Sequence, residues 1–192
     1  MRAAYSIVYG WYDLFSVTLF DMPNTKSVGE VSEAIILAEF LKAGFPVLLP
    51  FGDNQRYDMV VEVGGRFLRV QCKTASLCGW KDGHRTRGSS CIRFSAHSGV
   101  FGPGDRVTSR AQPYRGEADL FAAYSPDTKQ VYVLPVDECP VTDVWLRLTP
   151  AKNNQQIGIR LAEKHTLAAW AARQGGSVMS SPSGVLPAAG RL

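Results

Sequence analysis

Residues 57–73, YDMVVEVGGRFLRVQCK, constrain the fold more than any other stretch of the chain. Two β-rich runs, Tyr57–Val63 and Arg66–Lys73, are joined by Gly64-Gly65, and a Gly-Gly pair between such runs predicts a two-residue hairpin turn. That turn fixes the pairing. Val63 opposes Arg66, and counting outward Glu62 meets Phe67, Val60 meets Arg69 and Asp58 meets Gln71. Opposed residues share a face, with Cβ atoms about 4.5–5.5 Å apart. Lys73, two positions beyond Gln71, returns to the same face. Asp58, Gln71 and Lys73 are thus expected to converge, while Leu68, Val70 and Cys72 face a core. A slip of one residue would reverse all of these assignments.

The flanking sequence places this hairpin in a larger α/β unit. Ser27–Ala43 is predicted to be a helix. Ser27 and Glu30 have the S-x-x-E spacing of a capping box, Val31, Ala34, Ile35, Ala38 and Leu41 recur at helical spacing, and Gly44 provides a stop. Pro46–Pro50 reads as a short strand and 51–56 as a turn. Residues 76–90 and 98–116 are rich in Gly, Ser, Pro and basic residues and read as loops around a strand at Ile92–Ala96. A second hairpin is expected from Asp119–Tyr124 and Gln130–Pro135, with a turn at Ser125-Pro126-Asp127. Trp145–Leu148 suggests one more strand and Arg160–Arg173 a closing helix stopped by Gly175-Gly176. This order points to one domain over 27–174 around a mixed sheet. Residues 1–26 read as an N-terminal extension, and the Gly-, Ser- and Pro-rich 175–192 as a disordered tail.

Charge is unevenly spread. Residues 1–63 carry 4 Lys/Arg against 8 Asp/Glu, residues 64–115 carry 10 against 2, and the remainder 7 against 7. The middle segment suits a polyanion, though a solvated basic loop has the same count. Its candidates for phosphate contact are Lys81, Arg85, Arg87, Arg93, Arg106, Arg110 and Arg115. Trp80 and Tyr114 are candidates for stacking on bases, with ordinary packing as the alternative. Neither a membrane span nor a signal peptide is expected. Cys72, Cys78, Cys91 and Cys139 contain no CxxC pair and read as reduced thiols of a cytoplasmic protein. His84, His97 and His165 match no ligand spacing, and a zinc site from Cys72, Cys78, His84 and Cys91 is disfavoured by its intervals.

A carboxylate, an amide oxygen and an ammonium on one face can hold a hard cation and a water, although a plain cross-strand ion pair satisfies the same geometry. The helix adds a carboxylate. Glu30 is occupied by the capping box, which leaves Glu33 to face the sheet.

The stretch GEVSEAIILAEFLKAGFPVLLPFGDNQRYDMVVEVGGRFLRVQCKTA resembles the core of PD-(D/E)xK nucleases. It is most similar to the group I intron-associated endonucleases and, more distantly, to archaeal Holliday junction resolvases. Gly29 and Glu33 match the helix motif, Asp58 the metal-binding aspartate, and Gln71-Cys72-Lys73 the (D/E)xK element. Gln71 departs from the general motif but agrees with the intron-endonuclease subgroup. The resemblance implies a restriction-endonuclease-like fold and a Mg²⁺ site, with Mn²⁺ able to substitute, built from Asp58, Gln71 and the backbone carbonyl of Cys72. It implies catalytic roles for Glu33, Asp58, Gln71 and Lys73, a duplex DNA substrate, and a homodimer or homotetramer that cuts both strands. Two alternatives share the fold: a junction-resolving or repair nuclease, and a DNA-binding module without activity.

Overall fold

A computed structural model describes residues 25–52, 54–81, 84–101, 107–150 and 158–175. Apart from residues 25, 26 and 175, the expected extension and tail lie outside the described residues. Helix α1 spans Thr25–Lys42, followed by strands β1 (Val47–Leu48), β2 (Met59–Val63), β3 (Arg66–Thr74), β4 (Ser76–Lys81), β5 (His84–Ser95), β6 (His97–Phe101), β7 (Val107–Pro113), β8 (Leu120–Ser125), β9 (Gln130–Pro135) and β10 (Asp143–Arg147), and helix α2 (Leu167–Arg173).

The central sheet has the order β1-β2-β3-β8-β9. Its ladders are antiparallel except for β3 with β8, which run parallel. The sheet is therefore mixed, as expected. The predicted hairpin register holds throughout the ladder: Val63 pairs with Arg66, Glu62 with Phe67 and Val60 with Arg69. Gly64 and Gly65 have φ of 55° and 77°, the left-handed region that such a turn requires and that glycine enters without steric cost.

Both faces of the sheet are covered. On one side Ile36 and Phe40 of α1 and Trp170 of α2 pack with Met59, Val61, Val70, Ala122 and Val133. Phe40, Phe45 and Trp170 form an aromatic corner with ring centroids 5.2 to 6.3 Å apart. On the other side Phe121, Ala123 and Leu134 pack with Ile92, Phe94, Val144 and Leu146. Those partners belong to a second sheet, β10-β5-β4. Strand β8 supplies both cores, which explains its unbroken apolar run: a strand covered on two faces has no polar side to alternate with.

Several expectations are corrected. The helix begins before Ser27, so Ser27 lies within α1 and no capping box forms; Glu30 instead pairs with Lys26 at 3.9 Å. The buried row of α1 is Ser32, Ile36 and Phe40, whereas Ala34 and Leu41 are exposed. The run AIILAEFL is apolar on most of its circumference, so periodicity alone placed the face about one position off. Residues 76–90 and 98–116 are largely strands, because the hairpins β4–β5 and β6–β7 are made by cross-strand pairing that Gly- and Ser-rich sequence does not advertise. The closing helix is shorter than Arg160–Arg173. Thr166 is extended, bridges to Tyr132 and caps α2 by accepting from the Ala169 N–H at 3.2 Å, so the chain before it is a separate 3-10 turn, Ala162–His165. Strand β1 keeps only two of the five residues expected, and β10 is shifted toward Asp143.

Candidate active site

Asp58 stands one residue before β2. Its N–H donates at 2.9 Å to the carbonyl of Val70, the ladder partner of Met59, so the paired register stops at Met59 and Asp58 steps out of it while staying against β3. Beyond this point β3 has no antiparallel neighbour, and the Asp58 side chain substitutes for one. Its Oδ2 accepts from the Cys72 N–H at 2.6 Å and from Gln71 Nε2 at 2.6 Å. Gln71 Nε2 also donates to the Cys72 carbonyl at 3.3 Å. Asp58, Gln71 and the Cys72 carbonyl are thus gathered by the same gap in the ladder. Gln71 is only 9% exposed, and an amide this enclosed is retained where its polar atoms have partners.

The electrostatics are unbalanced. Burial pushes the Asp58 carboxyl above its ordinary value, and the Cys72 N–H, Lys73 and Gln71 offset that only in part. Glu33 is also held above its usual range, by burial first, then by the charges of Asp58 and Glu30. The Cys72 thiol is pushed well up, chiefly by burial, which keeps it neutral and unreactive.

Glu33 reaches this area because α1 crosses the end of β3. Ser32, buried next to it, bonds the Val28 carbonyl at 2.9 Å and Thr74 Oγ1 at 2.7 Å, which ties the helix to the last residue of β3. Glu33 and Asp58 line two adjoining clefts. One, of about 260 Å³, also holds Glu30, Gln71, Cys72 and Lys73. The other, of about 310 Å³, is bordered by Leu49, Pro50, Gly52, Gln55 and Tyr57. Glu30 is the more exposed of the two glutamates, its side chain paired with Lys26.

Lys73 shares the face of Gln71 but leans away from Asp58. Its Nζ donates to the Tyr114 hydroxyl at 2.9 Å and lies 4.4 Å from the centre of that ring. Tyr114 is 6% exposed and edge-on to Phe121 at 5.6 Å, so of its two readings packing holds and base stacking does not. The Arg56 guanidinium also covers the ring, at 4.5 Å. Arg56 pairs with Glu117 and donates to Ser98 Oγ at 3.2 Å and the Pro113 carbonyl at 3.0 Å. Sequence reasoning missed Ser32, Arg56 and the anchoring role of Tyr114. The first is a short polar residue hidden in an apolar helix, and the others act across more than forty residues of chain.

The seven basic candidates fare unequally. Arg93 is held by both oxygens of Asp143 at 2.7 Å, and Arg115 donates to the carbonyls of Asp137 and Cys139 at 3.4 and 3.3 Å. Both have structural partners, and neither borders the clefts. Lys81, Arg85, Arg87 and Arg110 lie on β4, β5 and β7, and their side chains, like all of Arg106, fall outside the described residues. Among the described residues no three His, Cys, Asp or Glu side chains gather into a metal-holding group, and none of the four cysteines is in a disulfide.

The geometry joins one aspartate to Gln-x-Lys across a hairpin, with a helix glutamate alongside. The sequence model of a family described as a PD-(D/E)XK endonuclease matches residues 23–168, most of the chain. The chain belongs to the PD-(D/E)XK endonuclease family. A comparison with solved structures finds the same fold in a bacterial homing endonuclease, I-Ssp6803I, with a TM-score of 0.59 and 24% identity over 81% of this chain and 97% of that one. A search of curated proteins by sequence gives no match.

Proposed function

We propose that this PD-(D/E)XK protein is a divalent-metal-dependent endonuclease that hydrolyses phosphodiester bonds of duplex DNA. The observation that carries the reading is the gap at the start of β2, where Asp58, Gln71 and the Cys72 carbonyl meet beside Glu33 and Lys73. The donors there are hard oxygens, and two carboxylates are held above their ordinary range, chiefly by burial. Such a set fits Mg²⁺, with Mn²⁺ as a substitute, better than a thiophilic metal. Asp58, the Cys72 carbonyl and the Gln71 amide oxygen would hold it, Gln71 having only to turn its amide over. When bound, the ion supplies Lewis-acid polarisation of a phosphoryl oxygen and acidifies water.

The chain's own groups divide the remaining work. Lys73 presents an ammonium that orients the attacking water and stabilises negative charge as it builds on the phosphoryl oxygens. Glu33 accepts a hydrogen bond from that water and aligns it. Water oxygen forms the new bond to phosphorus as the bond to the leaving deoxyribose oxygen breaks. A neutral Gln71 gives the site one charge less than an acidic residue would, and a single ion suits that balance. Cutting both strands needs two such sites, so the working unit is a homodimer or homotetramer.

The test is cleavage of supercoiled plasmid and of a random duplex pool by wild type and Asp58→Ala, with Mg²⁺, Mn²⁺, Ca²⁺ or a chelator. Wild type is expected to cut with Mg²⁺ or Mn²⁺ and only to bind with Ca²⁺, and Asp58→Ala not to cut. Tight binding by wild type without cutting of any duplex or branched DNA would sink the nuclease reading.

A further inference from the structure

The end of β1 and the loop that follows it expose apolar surface that the fold does not use. Phe51 is fully exposed, Leu49 is 61% and Leu48 48% exposed, and none of the three belongs to either core. Scattered exposed apolar residues are ordinary, but three in four positions form a patch. This patch borders the candidate site: Leu49, Pro50 and Gly52 line the cleft that Glu33 and Asp58 also line, and Phe51 stands between Pro50 and Gly52 in the chain. Pro50 restricts φ by its own ring, and Gly52 turns the chain with a φ of 83°, in the left-handed region.

We propose that Phe51, with Leu49 behind it, is an apolar wedge that enters the base stack of duplex DNA next to the scissile bond. The inference rests on the reading of the chain as a duplex DNA nuclease and adds how that substrate is seated. A phosphodiester that reaches Asp58 and Glu33 brings its neighbouring base step to this loop, because loop and carboxylates share one cleft. The ion and Lys73 act on the phosphate and leave the neighbouring bases without a contact; aromatic stacking on bases provides one and tolerates any base. Apolar wedges between base steps kink duplexes by about 20–90°, which would open the backbone toward the cleft. Pyrimidine–purine steps unstack most easily, so the wedge favours TA or CA/TG beside the cut without a hydrogen bond to either base.

The probe is a duplex recovered from a random pool by binding in Ca²⁺, its cut position mapped with Mg²⁺, and 2-aminopurine placed at successive steps around that position. Wild type in Ca²⁺ is expected to raise the fluorescence at one step near the cut. Phe51→Ala should abolish that rise and slow Mg²⁺-dependent cleavage by between about fivefold and about a hundredfold. Phe51→Trp should restore both, and a mismatch that unstacks the step in advance should restore cutting by Phe51→Ala. Because Phe51 is fully exposed, Phe51→Ala is expected to unfold at the same temperature as wild type. A fluorescence rise that persists in Phe51→Ala overturns the proposal. So does a loss of oligomer size in Phe51→Ala by sedimentation, which would assign the patch to a second copy of the chain. Failure of the nuclease reading looks different. Wild type would then bind and unstack DNA in Ca²⁺ through Phe51, yet cut nothing in Mg²⁺, the binding site in that case being located by footprinting.

Discussion

Two aspartates meet strand β3 two residues apart, and their surroundings are opposites. Asp119 accepts from the Arg69 N–H at 2.8 Å, from its Nε at 3.0 Å and from its NH2 at 2.9 Å. Those bonds hold its carboxyl below the usual carboxylate range. Asp58 accepts from two neutral donors, and its carboxyl is held above that range although Lys73 is near. Lys73 has its direct hydrogen bond with Tyr114 instead. The first carboxylate is finished by the fold; the second is left short of charge. A satisfied aspartate staples β3 to the chain entering β8, and an unsatisfied one is available to a ligand. Charge alone does not separate structure from function here, since both aspartates have a basic residue close by. What separates them is burial, which raises Asp58 first of all, and whether a cation is in contact to offset it, as Arg69 is at Asp119.

The sharpest way to break this contrast is to remove each cation. Lys73→Ala should slow cleavage on the order of 10²–10³ while leaving DNA affinity nearly unchanged, because one ammonium among many basic groups adds little to ground-state binding. Single-turnover rates and a binding isotherm in Ca²⁺ check this. Equal losses of rate and affinity would return Lys73 to ordinary phosphate contact.

A divalent ion should complete Asp58 and leave Asp119 alone. Ca²⁺ at about a hundred times its Kd is expected to stabilise wild type by about 2.7 kcal/mol and Asp58→Asn not at all, as read by thermal melting. Without metal the sign reverses. A carboxyl whose folded pKa lies above its unfolded value weakens the fold when ionised, and that penalty disappears as pH falls below the unfolded value. Asp58→Asn should therefore match or exceed wild-type stability near pH 8, with the advantage shrinking as the solution is acidified. An advantage that grows on acidification contradicts the account.

Within α1, Glu33→Gln should lower the cleavage rate about a hundredfold, the low end of the effect expected of a positioned proton acceptor. Glu30→Gln, on the exposed Lys26 pair, should stay within about twofold. Parallel rate measurements decide between them, and the reverse order would move the helix carboxylate to Glu30.

The smallest effect belongs to the finished pair. Arg69→Ala should destabilise the fold by about 1 kcal/mol, the upper range for a partly exposed ion pair with two-pronged geometry. Asp119 has a lowered folded pKa, so its contribution is present above the unfolded value and is lost as pH falls through the folded one. Chemical denaturation of Arg69→Ala and wild type at neutral and strongly acidic pH should show the difference closing only in acid.

How much of this was legible depended on distance along the chain. The β2–β3 register followed from a two-residue turn, and with it the meeting of Asp58 and Gln71, because both are set by local geometry. The β8–β9 hairpin and most of α1 were legible for the same reason. The β4–β5 hairpin was not. Its sequence is poor in β-branched residues, and its strand character depends partly on β10, about fifty residues later. For Tyr114 the sequence leaves base stacking and packing both open, because nothing near it in the chain reveals Phe121, Arg56 or Lys73. The capping box failed for a different reason: a motif of four residues fitted a helix that had already begun.

The parallel pairing of β3 with β8 also orders events in time. Glu33, Asp58, Gln71 and Lys73 all lie between residues 33 and 73, and the hairpin that joins three of them closes over two glycines, an event of about 1–10 μs. The neighbour of Gln71 on the other side is Phe121, and that contact waits for a loop of some fifty residues to close, which is slower. On the ribosome the delay is set by synthesis rather than diffusion. A nascent chain that has released β3 but not Tyr114 carries the acidic half of the site with its lysine unanchored and one edge of β3 open. The geometry proposed for cleavage is therefore complete only once the second half of the polypeptide has been made.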